Sequence, residues 1–304
     1  MKLIGHEKNK KYFKNLIKNE SLGHAYLLSG PEMIGKKLFA LELYELLNGR
    51  RPENDPDFKL VSPRIDEGET QIYIEDVRDI KKFLSLKAYN GPYKVVAIDD
   101  AHRLTTEATN ALLKTLEEPS ALSVLFLITH MPKSLPGTIL SRCEEASFLP
   151  AQINEVAEFL RDKQLNPHTK RASAAEPQRF NNARSGVGIN KFDEDFLIKI
   201  SFGRLGFIDR LLQEDGLDSA KKAVDDLRRL LGNGVFEKMD YAKKIHENRA
   251  YGPTVSYWLN WLYANLNNSP KNTLIVKNLL ELNSIVSQPQ FNHRLALENF
   301  LINL

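Results

Sequence analysis

A glycine-rich segment near the start of the chain has the residue types of a phosphate-binding loop. Gly30 and Gly35 frame this segment, and Pro31 follows the first glycine. In the pattern Gly-x-x-x-x-Gly-Lys, backbone N–H groups cradle phosphates, and the lysine, here Lys36, reaches the β and γ oxygens. The pattern continues with a Ser or Thr whose hydroxyl binds Mg²⁺, but this chain has Lys37. Because an ammonium group cannot ligate a cation, the segment predicts phosphate contact with impaired magnesium binding.

Polar residues that end two later apolar runs could complete such a site. Asp99 follows the run Tyr93–Ile98, where an acid that holds Mg²⁺ is expected. Asp100 takes the place of a glutamate that polarises the attacking water, and its shorter side chain matters because a displacement of about 1 Å can cost about a hundredfold in rate. Thr129 ends the second run and could contact the γ-phosphate; the alternative is a threonine bonded to backbone. These residues favour little or no hydrolysis and leave ATP binding open.

The elements that would position these residues alternate between short apolar strands and amphipathic helices. Apolar runs predict strands at residues 25–28, 58–61, 93–98, 124–129 and 147–149. Helical spacing predicts helices at about residues 6–19, 37–47, 76–86 and 108–117. Asp76 is expected to cap the third helix, Thr105 or Thr106 the fourth, and residues 64–69 to be a charged connection. This alternation predicts an α/β layer with a mainly parallel sheet over residues 1–150.

The pattern becomes helical after residue 150. Residues 151–215 are expected to form a small helical domain, which includes a helix at Asp193–Ser201. Residues 216–304 are expected to form an all-helical domain. Its helices are predicted at about residues 218–231, 235–248, 254–267, 271–286 and 291–303. Residues 166–191 have little periodicity and are interpreted as a long loop.

Composition excludes several classes of protein. The 304 residues are 42% hydrophobic and 27% charged, which is typical of soluble globular proteins. The single cysteine, Cys143, excludes an intrachain disulfide and a Cys-rich zinc module. The sequence contains no run of about 18 apolar residues, so no membrane span is expected. The net charge of +3 is too small to indicate nucleic-acid binding by itself. We expect a cytoplasmic protein that requires no zinc or other cofactor.

Other residues that could do chemistry have simpler interpretations. His24, His102 and His130 lie at separate strand ends and loops without the spacing of metal ligands, so no metal site is expected. Glu117 and the glutamate after it are interpreted as the end of an exposed helix rather than an acid–base couple. Cys143 is interpreted as a small buried residue, because no histidine is placed to activate it.

Four longer segments resemble the clamp-loader branch of the AAA+ ATPases. They are GHAYLLSGPEMIGKK (23–37), KVVAIDDAHRLTTEATNALLKTLEEPS (94–120), LFLITHMPKSLPGTILSRC (125–143) and FNHRLALENFLINL (291–304). The resemblance implies a P-loop AAA+ domain at 1–150, a helical lid domain at 151–215 and a helical collar domain at 216–304. Within the branch, the sequence most resembles δ′ subunits of bacterial DNA polymerase III.

Three departures from the hydrolysing subunits support that narrower resemblance. Lys37 replaces the magnesium-binding Ser or Thr, and Asp100 replaces the expected glutamate. In the segment Gly203-x-x-Gly206, motor subunits tend to carry an arginine that contacts the γ-phosphate, but position 206 is glycine. Many bacterial members carry a four-cysteine zinc module after the first helix, which is missing here because residues 48–60 contain no cysteine.

The resemblance implies a role in trans for Arg142, the arginine of the SRC segment. In clamp loaders, this arginine completes the ATP site of the neighbouring subunit in a heteropentamer. The implied partners are γ/τ and δ subunits, the sliding clamp and primer-template DNA. Basic side chains could face that DNA, although a solvated basic face is an equal alternative. They are Lys81, Lys82, Lys87 and Lys114.

Two other functions stay open at this point. One is an active ATPase subunit of the γ/τ type, in which Lys37 is tolerated. The other is an AAA+ scaffold that binds a partner outside replication.

Overall fold

The structure is a computed structural model and describes residues 3–66, 69–165, 190–213, 215–265, 270–286, 288 and 291–304. The chain divides into two compact units. The first contains the described residues up to Leu165 together with Gly203–Gly206, and the second contains the remaining described residues. The division into three domains at residues 150 and 215 stays a prediction. Residues 166–189 of the loop predicted at 166–191 lie outside the described residues.

A five-stranded parallel sheet forms the centre of the first unit, as the alternating pattern predicts. In chain order the strands of this unit are β1 (Ala25–Ser29), β2 (Phe58–Val61), β3 (Arg64–Asp66), β4 (Glu69–Gln71), β5 (Lys94–Ile98), β6 (Ser123–Thr129) and β7 (Glu144–Ser147). The order across the sheet is β2-β5-β6-β1-β7, and every pair is parallel. β3 and β4 form a separate antiparallel pair.

Helices of the first unit cover the sheet, and helices also make up most of the described second unit. The first six are α1 (Glu7–Lys18), α2 (Lys36–Asn48), α3 (Ile74–Ser85), α4 (Thr106–Glu117), α5 (Gly137–Leu140) and α6 (Ile153–Leu165). The following seven are α7 (Lys191–Ser201), α8 (Leu205–Leu211), α9 (Gly216–Leu230), α10 (Val235–Glu247), α11 (Tyr251–Ala264), α12 (Pro270–Val286) and α13 (His293–Ile302). No helix among the described residues is both long enough and apolar enough to cross a membrane.

Strands β1, β5 and β6 are buried on both faces, which explains their continuous apolar sequences. On one face, Tyr26 of β1 packs with Phe13 of α1 and Phe126 of β6. On the other face, Leu27 belongs to a core that includes Leu112 of α4. Alternate side chains of one strand therefore enter different cores, and each core fixes the strands from its own side.

The helices of the second unit pack around Trp258 of α11. The indole ring is fully buried, and its N–H donates to the carbonyl oxygen of Ala223 in α9 at 2.7 Å. Tyr241 of α10 and Phe300 of α13 stack on the same ring, with centroid distances of 6.0 and 6.1 Å. One side chain thus joins four helices, and the prediction of helices throughout the described part of residues 216–304 is confirmed.

The last strand of the sheet begins three residues earlier than predicted. β7 is Glu144–Ser147 rather than 147–149, and within it only Ala146 is buried. The strand lies at the edge of the sheet and exposes charged side chains, so it lacks the apolar run that marks the central strands. Phe148 is buried after the strand ends, whereas Leu149 is exposed.

Three other local predictions differ from the structure. Arg64–Asp66 and Glu69–Gln71 pair as β3 and β4 where a charged connection was predicted, and the short helix α8 was not predicted. α3 starts at Ile74, so Asp76 lies in its first turn, where the carboxylate accepts the backbone N–H of Tyr73 at 2.9 Å. By contrast, Thr105 caps α4 as predicted, and its hydroxyl accepts the N–H of Ala108 at 3.1 Å.

Asp57, just before β2, is a buried carboxylate that anchors the turn before β5. It accepts backbone N–H groups from Tyr89 at 2.7 Å, Asn90 at 2.5 Å and Gly91 at 3.0 Å, and Lys94 Nζ lies 3.5 Å away. Burial by itself raises the pKa of Asp57, but the backbone donors and Lys94 outweigh it and lower that pKa below its usual value. The ionised carboxylate therefore stabilises the folded turn.

Replacing Asp57 with alanine is expected to lower the free energy of unfolding by about 3–5 kcal/mol, because the buried Lys94 ammonium loses its partner. Urea unfolding of the full chain measures the loss. The contribution is fully present above about pH 3.9, the pKa of an unfolded aspartate, and is lost as the pH falls through the lowered folded pKa.

Asp79→Ala is the matched control for Asp57→Ala. Asp79 pairs with Lys82 at 3.7 Å, and both side chains are mostly exposed. Exposed pairs contribute about 0–1 kcal/mol, so the control should unfold close to the wild type. Equal losses of unfolding free energy in the two variants would contradict the anchoring role of Asp57. So would a loss in Asp57→Ala that stays the same size down to strongly acidic pH.

Candidate functional site

The order of the sheet brings the predicted phosphate-contacting residues to one edge. β1 lies beside β6, and Ser29 is in register with Thr129. β6 also lies beside β5, whose last residue, Ile98, precedes Asp99. The loop after β1, the acids after β5 and the end of β6 therefore meet where the strands end. This is the edge at which open parallel sheets bind ligands.

The glycines of the loop allow backbone geometry that other residues rarely adopt. Gly30 and Gly35 have φ values of 140° and 103°. A Cβ atom on Gly30 would overlap the carbonyl oxygen of Phe148, and one on Gly35 would lie 2.8 Å from Leu3 Cδ1. Both positions therefore require glycine, and the chain turns from β1 directly into α2.

Lys36 opens α2, and its ammonium group is held by the loop itself. Nζ donates to the carbonyl oxygens of Gly30 at 2.6 Å and Pro31 at 2.5 Å. The residue is only 6% exposed, and this burial lowers the pKa of Lys36 to about 8, although nearby carboxylates, of which Glu32 is the strongest, oppose the change. A phosphate group would be a better partner for this ammonium than two neutral carbonyls.

Lys37 places a second ammonium group at the acid where Mg²⁺ was expected. Its Nζ lies 3.1 Å from Asp99 Oδ2, and both side chains are partly exposed. Such a pair is worth about 1 kcal/mol or less, so the pair alone is a weak barrier to Mg²⁺. The stronger effects are the missing hydroxyl ligand and the added positive charge, and both follow from the residue at position 37.

Asp100 and Thr129 have partners within the chain. Asp100 adopts left-handed backbone angles, with φ 48° and ψ 48°, and its Oδ1 lies 3.8 Å from His130 Nδ1. The buried Thr129 hydroxyl accepts the N–H of Met131 at 3.0 Å and lies 3.2 Å from His102 Nδ1. The bonding of Thr129 matches the alternative of a threonine satisfied locally, and a role for it in sensing phosphate stays a prediction.

The expectation that the three histidines lie apart is wrong for two of them. The rings of His102 and His130 pack edge to face with centroids 4.3 Å apart. They meet because they follow adjacent strands, β5 and β6, which sequence spacing alone does not show. His24 is separate, and its Nε2 lies 3.1 Å from the carbonyl oxygen of Leu116.

Arg142 lies just after α5, and its guanidinium group is held in one orientation. Nη2 is 2.9 Å from Glu117 Oε1, and Nη1 donates to the Thr138 carbonyl oxygen at 3.0 Å and the Ser141 hydroxyl at 3.3 Å. About a third of the side chain is exposed. Sequence reasoning missed this role of Glu117, since the two residues are far apart in the chain. Next to the arginine, burial raises the pKa of the Cys143 thiol to about 11, which makes it a poor nucleophile at neutral pH.

Within the first unit, Gly206 packs against the loop after β1, which leaves no room for a side chain at position 206. Gly206 donates its N–H to the carbonyl oxygen of Met33 at 2.7 Å. A Cβ atom on Gly206 would also lie 2.7 Å from that oxygen. An arginine at this position therefore requires a different backbone position.

The four lysines proposed to face DNA are all exposed. Lys82 forms a surface ion pair with Asp79 of the same helix. Of the other three, one lies on α3, one follows α3, and one lies on α4, which packs against α3. They are Lys81, Lys87 and Lys114. Their role in binding DNA stays a prediction.

Comparison with known proteins identifies relatives for the first half of the chain. Residues 5–152 match the family described as "DNA polymerase III, delta subunit". A DNA polymerase III subunit delta′ from Pseudomonas aeruginosa is 39% identical over 145 residues, which are 42% of this chain and 44% of the relative. A DNA polymerase III subunit tau from Bacillus subtilis is 33% identical over 158 residues, which are 48% of this chain and 28% of the relative. The matched segment is thus less than half of either relative.

A solved structure resembles the chain over nearly its whole length. It is a DNA polymerase III gamma subunit-related protein from Thermotoga maritima, with a TM-score of 0.62 and 20% sequence identity. The alignment covers 96% of each chain. At this level of identity, the similarity concerns the fold, and it extends to the helices of the second unit.

The buried lysine of the loop predicts a pH dependence of stability. Between the folded pKa of about 8 and the unfolded value of about 10.4, the unfolded chain binds more protons than the folded chain. Stability contributed by Lys36 therefore rises with pH across this window. The free energy of unfolding of the wild type, relative to Lys36→Met, should increase from neutral pH to about pH 10. Urea titrations of both proteins at several pH values measure this difference.

Lys133→Met controls for the loss of one positive charge, because Lys133 is an exposed residue of the same unit. This control should follow the wild type across the pH range. If the difference in free energy of unfolding between the wild type and Lys36→Met does not change with pH, the Lys36 ammonium is not destabilised by burial.

Proposed function

We propose that this chain, whose residues 5–152 match the family described as "DNA polymerase III, delta subunit", is a non-hydrolysing clamp-loader subunit of the δ′ type. It helps to place the sliding clamp on primed DNA and supplies Arg142 to the ATP site of a neighbouring subunit. The observation that carries the proposal is the ammonium of Lys37 beside Asp99, at 3.1 Å, in the place of a magnesium ligand.

Two further features support loss of hydrolysis in this chain's own site. Asp100 stands where a water-polarising glutamate is expected, and its carboxylate points towards His130, 3.8 Å away. Gly206 packs on the Met33 carbonyl and excludes an arginine that could contact the γ-phosphate. Magnesium binding, activation of water and stabilisation of charge are each weakened by a different residue.

The surroundings of Arg142 support its role in trans. A guanidinium group is planar and always charged, and it offers a fork of donors to phosphate oxygens. Here the fork is partly exposed, and Glu117 and the Thr138 carbonyl oxygen set its orientation. In phosphoryl transfer, an arginine supplied by a neighbour stabilises the transition state and is worth about 10³-fold or more in rate. We assign Glu117 as the residue that positions Arg142.

The proposed partners follow from the same role. We propose a cytoplasmic heteropentamer with γ/τ and δ subunits, which acts on a sliding clamp and primer-template DNA. Exposed lysines on α3 and α4 could contact the DNA phosphates within this assembly. No zinc is proposed at the position of the four-cysteine module, since residues 48–60 contain no cysteine.

An active ATPase of the γ/τ type is the second candidate. The intact segment from Gly30 to Lys36 and the similarity to a tau subunit favour it. In that case the Lys37 ammonium must move away from Asp99 when Mg²⁺ enters. The third candidate, an AAA+ scaffold for a partner outside replication, predicts no association with clamp-loader subunits.

The isolated chain is expected to hydrolyse Mg·ATP no faster than the buffer alone, because position 37 offers no hydroxyl ligand to Mg²⁺. Phosphate release from the full-length chain measures this rate, with Lys36→Ala assayed in parallel. Turnover that Lys36→Ala abolishes would refute the non-hydrolysing role and favour the γ/τ type.

Arg142→Ala is expected to slow hydrolysis about 10³-fold at the site that this chain completes in a reconstituted clamp loader. In single-turnover measurements of ATP hydrolysis, the amplitude of the fast phase should fall by the share of one ATP site. Size-exclusion chromatography should show that the complex still assembles. Glu117→Gln should give a smaller loss of rate, because the guanidinium keeps its charge but loses an orienting partner.

Arg103→Ala is the matched control for Arg142→Ala. Arg103 is an exposed arginine of the same unit, and it donates to the Thr70 carbonyl oxygen at 3.2 Å. Its loss should leave the amplitude of the fast phase unchanged. A complex with Arg142→Ala that assembles normally and hydrolyses ATP at the wild-type amplitude would disprove the role in trans.

A further inference from the structure

A cluster of two imidazoles and one carboxylate lies at the strand edge, apart from the acid that faces Lys37. Asp100 and His102 follow β5, and His130 follows the neighbouring strand β6. One potential ligand atom from each residue lies within 4.8 Å of the other two. Each of the three side chains is partly buried. The fold thus gathers three groups that commonly bind divalent transition metals.

The distances are close to those of a metal site. With metal–ligand bonds of about 2.0–2.2 Å and tetrahedral angles, ligand atoms lie about 3.4 Å apart. His130 Nδ1 and Asp100 Oδ1 are already 3.8 Å apart. The remaining ligand atoms lie within 4.8 Å of one another, so the three groups would have to approach by at most about 1.4 Å to reach that spacing.

Two further contacts orient the imidazoles. Glu32 Oε1 lies 3.0 Å from His130 Nε2, so it accepts that N–H and leaves Nδ1 as the lone-pair atom that faces Asp100. The Thr129 hydroxyl lies 3.2 Å from His102 Nδ1, and in the tautomer protonated there, Nε2 can act as ligand. Metal-binding histidines usually donate their second N–H in this way, which fixes the ring and raises ligand basicity.

We propose that Asp100, His102 and His130 bind one divalent transition-metal ion, with Zn²⁺ as the best match. Imidazole ligands favour Zn²⁺ over Mg²⁺, which prefers carboxylates and water. Three protein ligands leave a fourth position for water. The ion would join the ends of β5 and β6, and through Glu32 it would reach the loop between Gly30 and Gly35. The proposal goes beyond the clamp-loader role and does not depend on it.

The test uses the full chain without a histidine tag, stripped of metal by a chelator. Co²⁺ is titrated first, because the intensity of its visible d–d bands reports a four-coordinate site, and Zn²⁺ is then added to displace it. We expect one ion per chain. The double variant His102→Gln/His130→Gln should lose the bands, and Glu32→Gln should weaken binding about 10–100-fold.

His24→Gln is the matched control, because it removes a histidine that lies outside the cluster. It should bind one ion with the affinity of the wild type. Urea unfolding with and without Zn²⁺ gives a second readout: Zn²⁺ should raise the midpoint of the wild type and of His24→Gln, but not that of the double variant. A wild type that binds no Co²⁺ would overturn the proposal, as would a folded double variant that keeps wild-type stoichiometry.

Discussion

Parallel pairing of β1 with β6 and of β6 with β5 is the constraint on which the rest of the first unit depends. These three strands are covered on both faces, so their register is fixed twice, once by each core. The pairing has a chemical consequence, because every residue that follows one of these strands emerges at the same edge. A loop for phosphate, two acids and two histidines are neighbours for this single reason.

Two ammonium groups of the chain lie at this edge of the sheet. Lys36 is bound to carbonyl groups of its own loop, and Lys37 to Asp99. In a hydrolysing site, a divalent ion bridges the acid and the phosphates. Here the ammonium group of Lys37 lies beside the acid instead, 3.1 Å from Asp99 Oδ2. This arrangement is consistent with the proposed non-hydrolysing role.

The fold was predictable where burial determines the sequence. Central strands covered on both faces have continuous apolar sequences, and this property located β1, β5 and β6. The bounds of edge strand β7 were not predicted, because three of its four side chains are exposed and two of them are charged. Spacing identified the loop and the acids, since those residues are close in the chain or directly follow strands.

Contacts between distant segments could not be predicted in the same way. The pairing of Glu117 with Arg142, the packing of His102 on His130 and the hydrogen bonds of Asp57 all depend on the order of the strands and the path of the loops. A sequence pattern records the burial of a residue, but it does not record which segment lies opposite.

Glu117 has a thermodynamic consequence for the proposed role of Arg142 at a neighbouring subunit. A free arginine side chain loses up to about 2 kcal/mol of rotamer entropy when it is immobilised. The bonds to Glu117 and to the Thr138 carbonyl oxygen restrict the guanidinium before any partner arrives, so much of this loss occurs during folding rather than association.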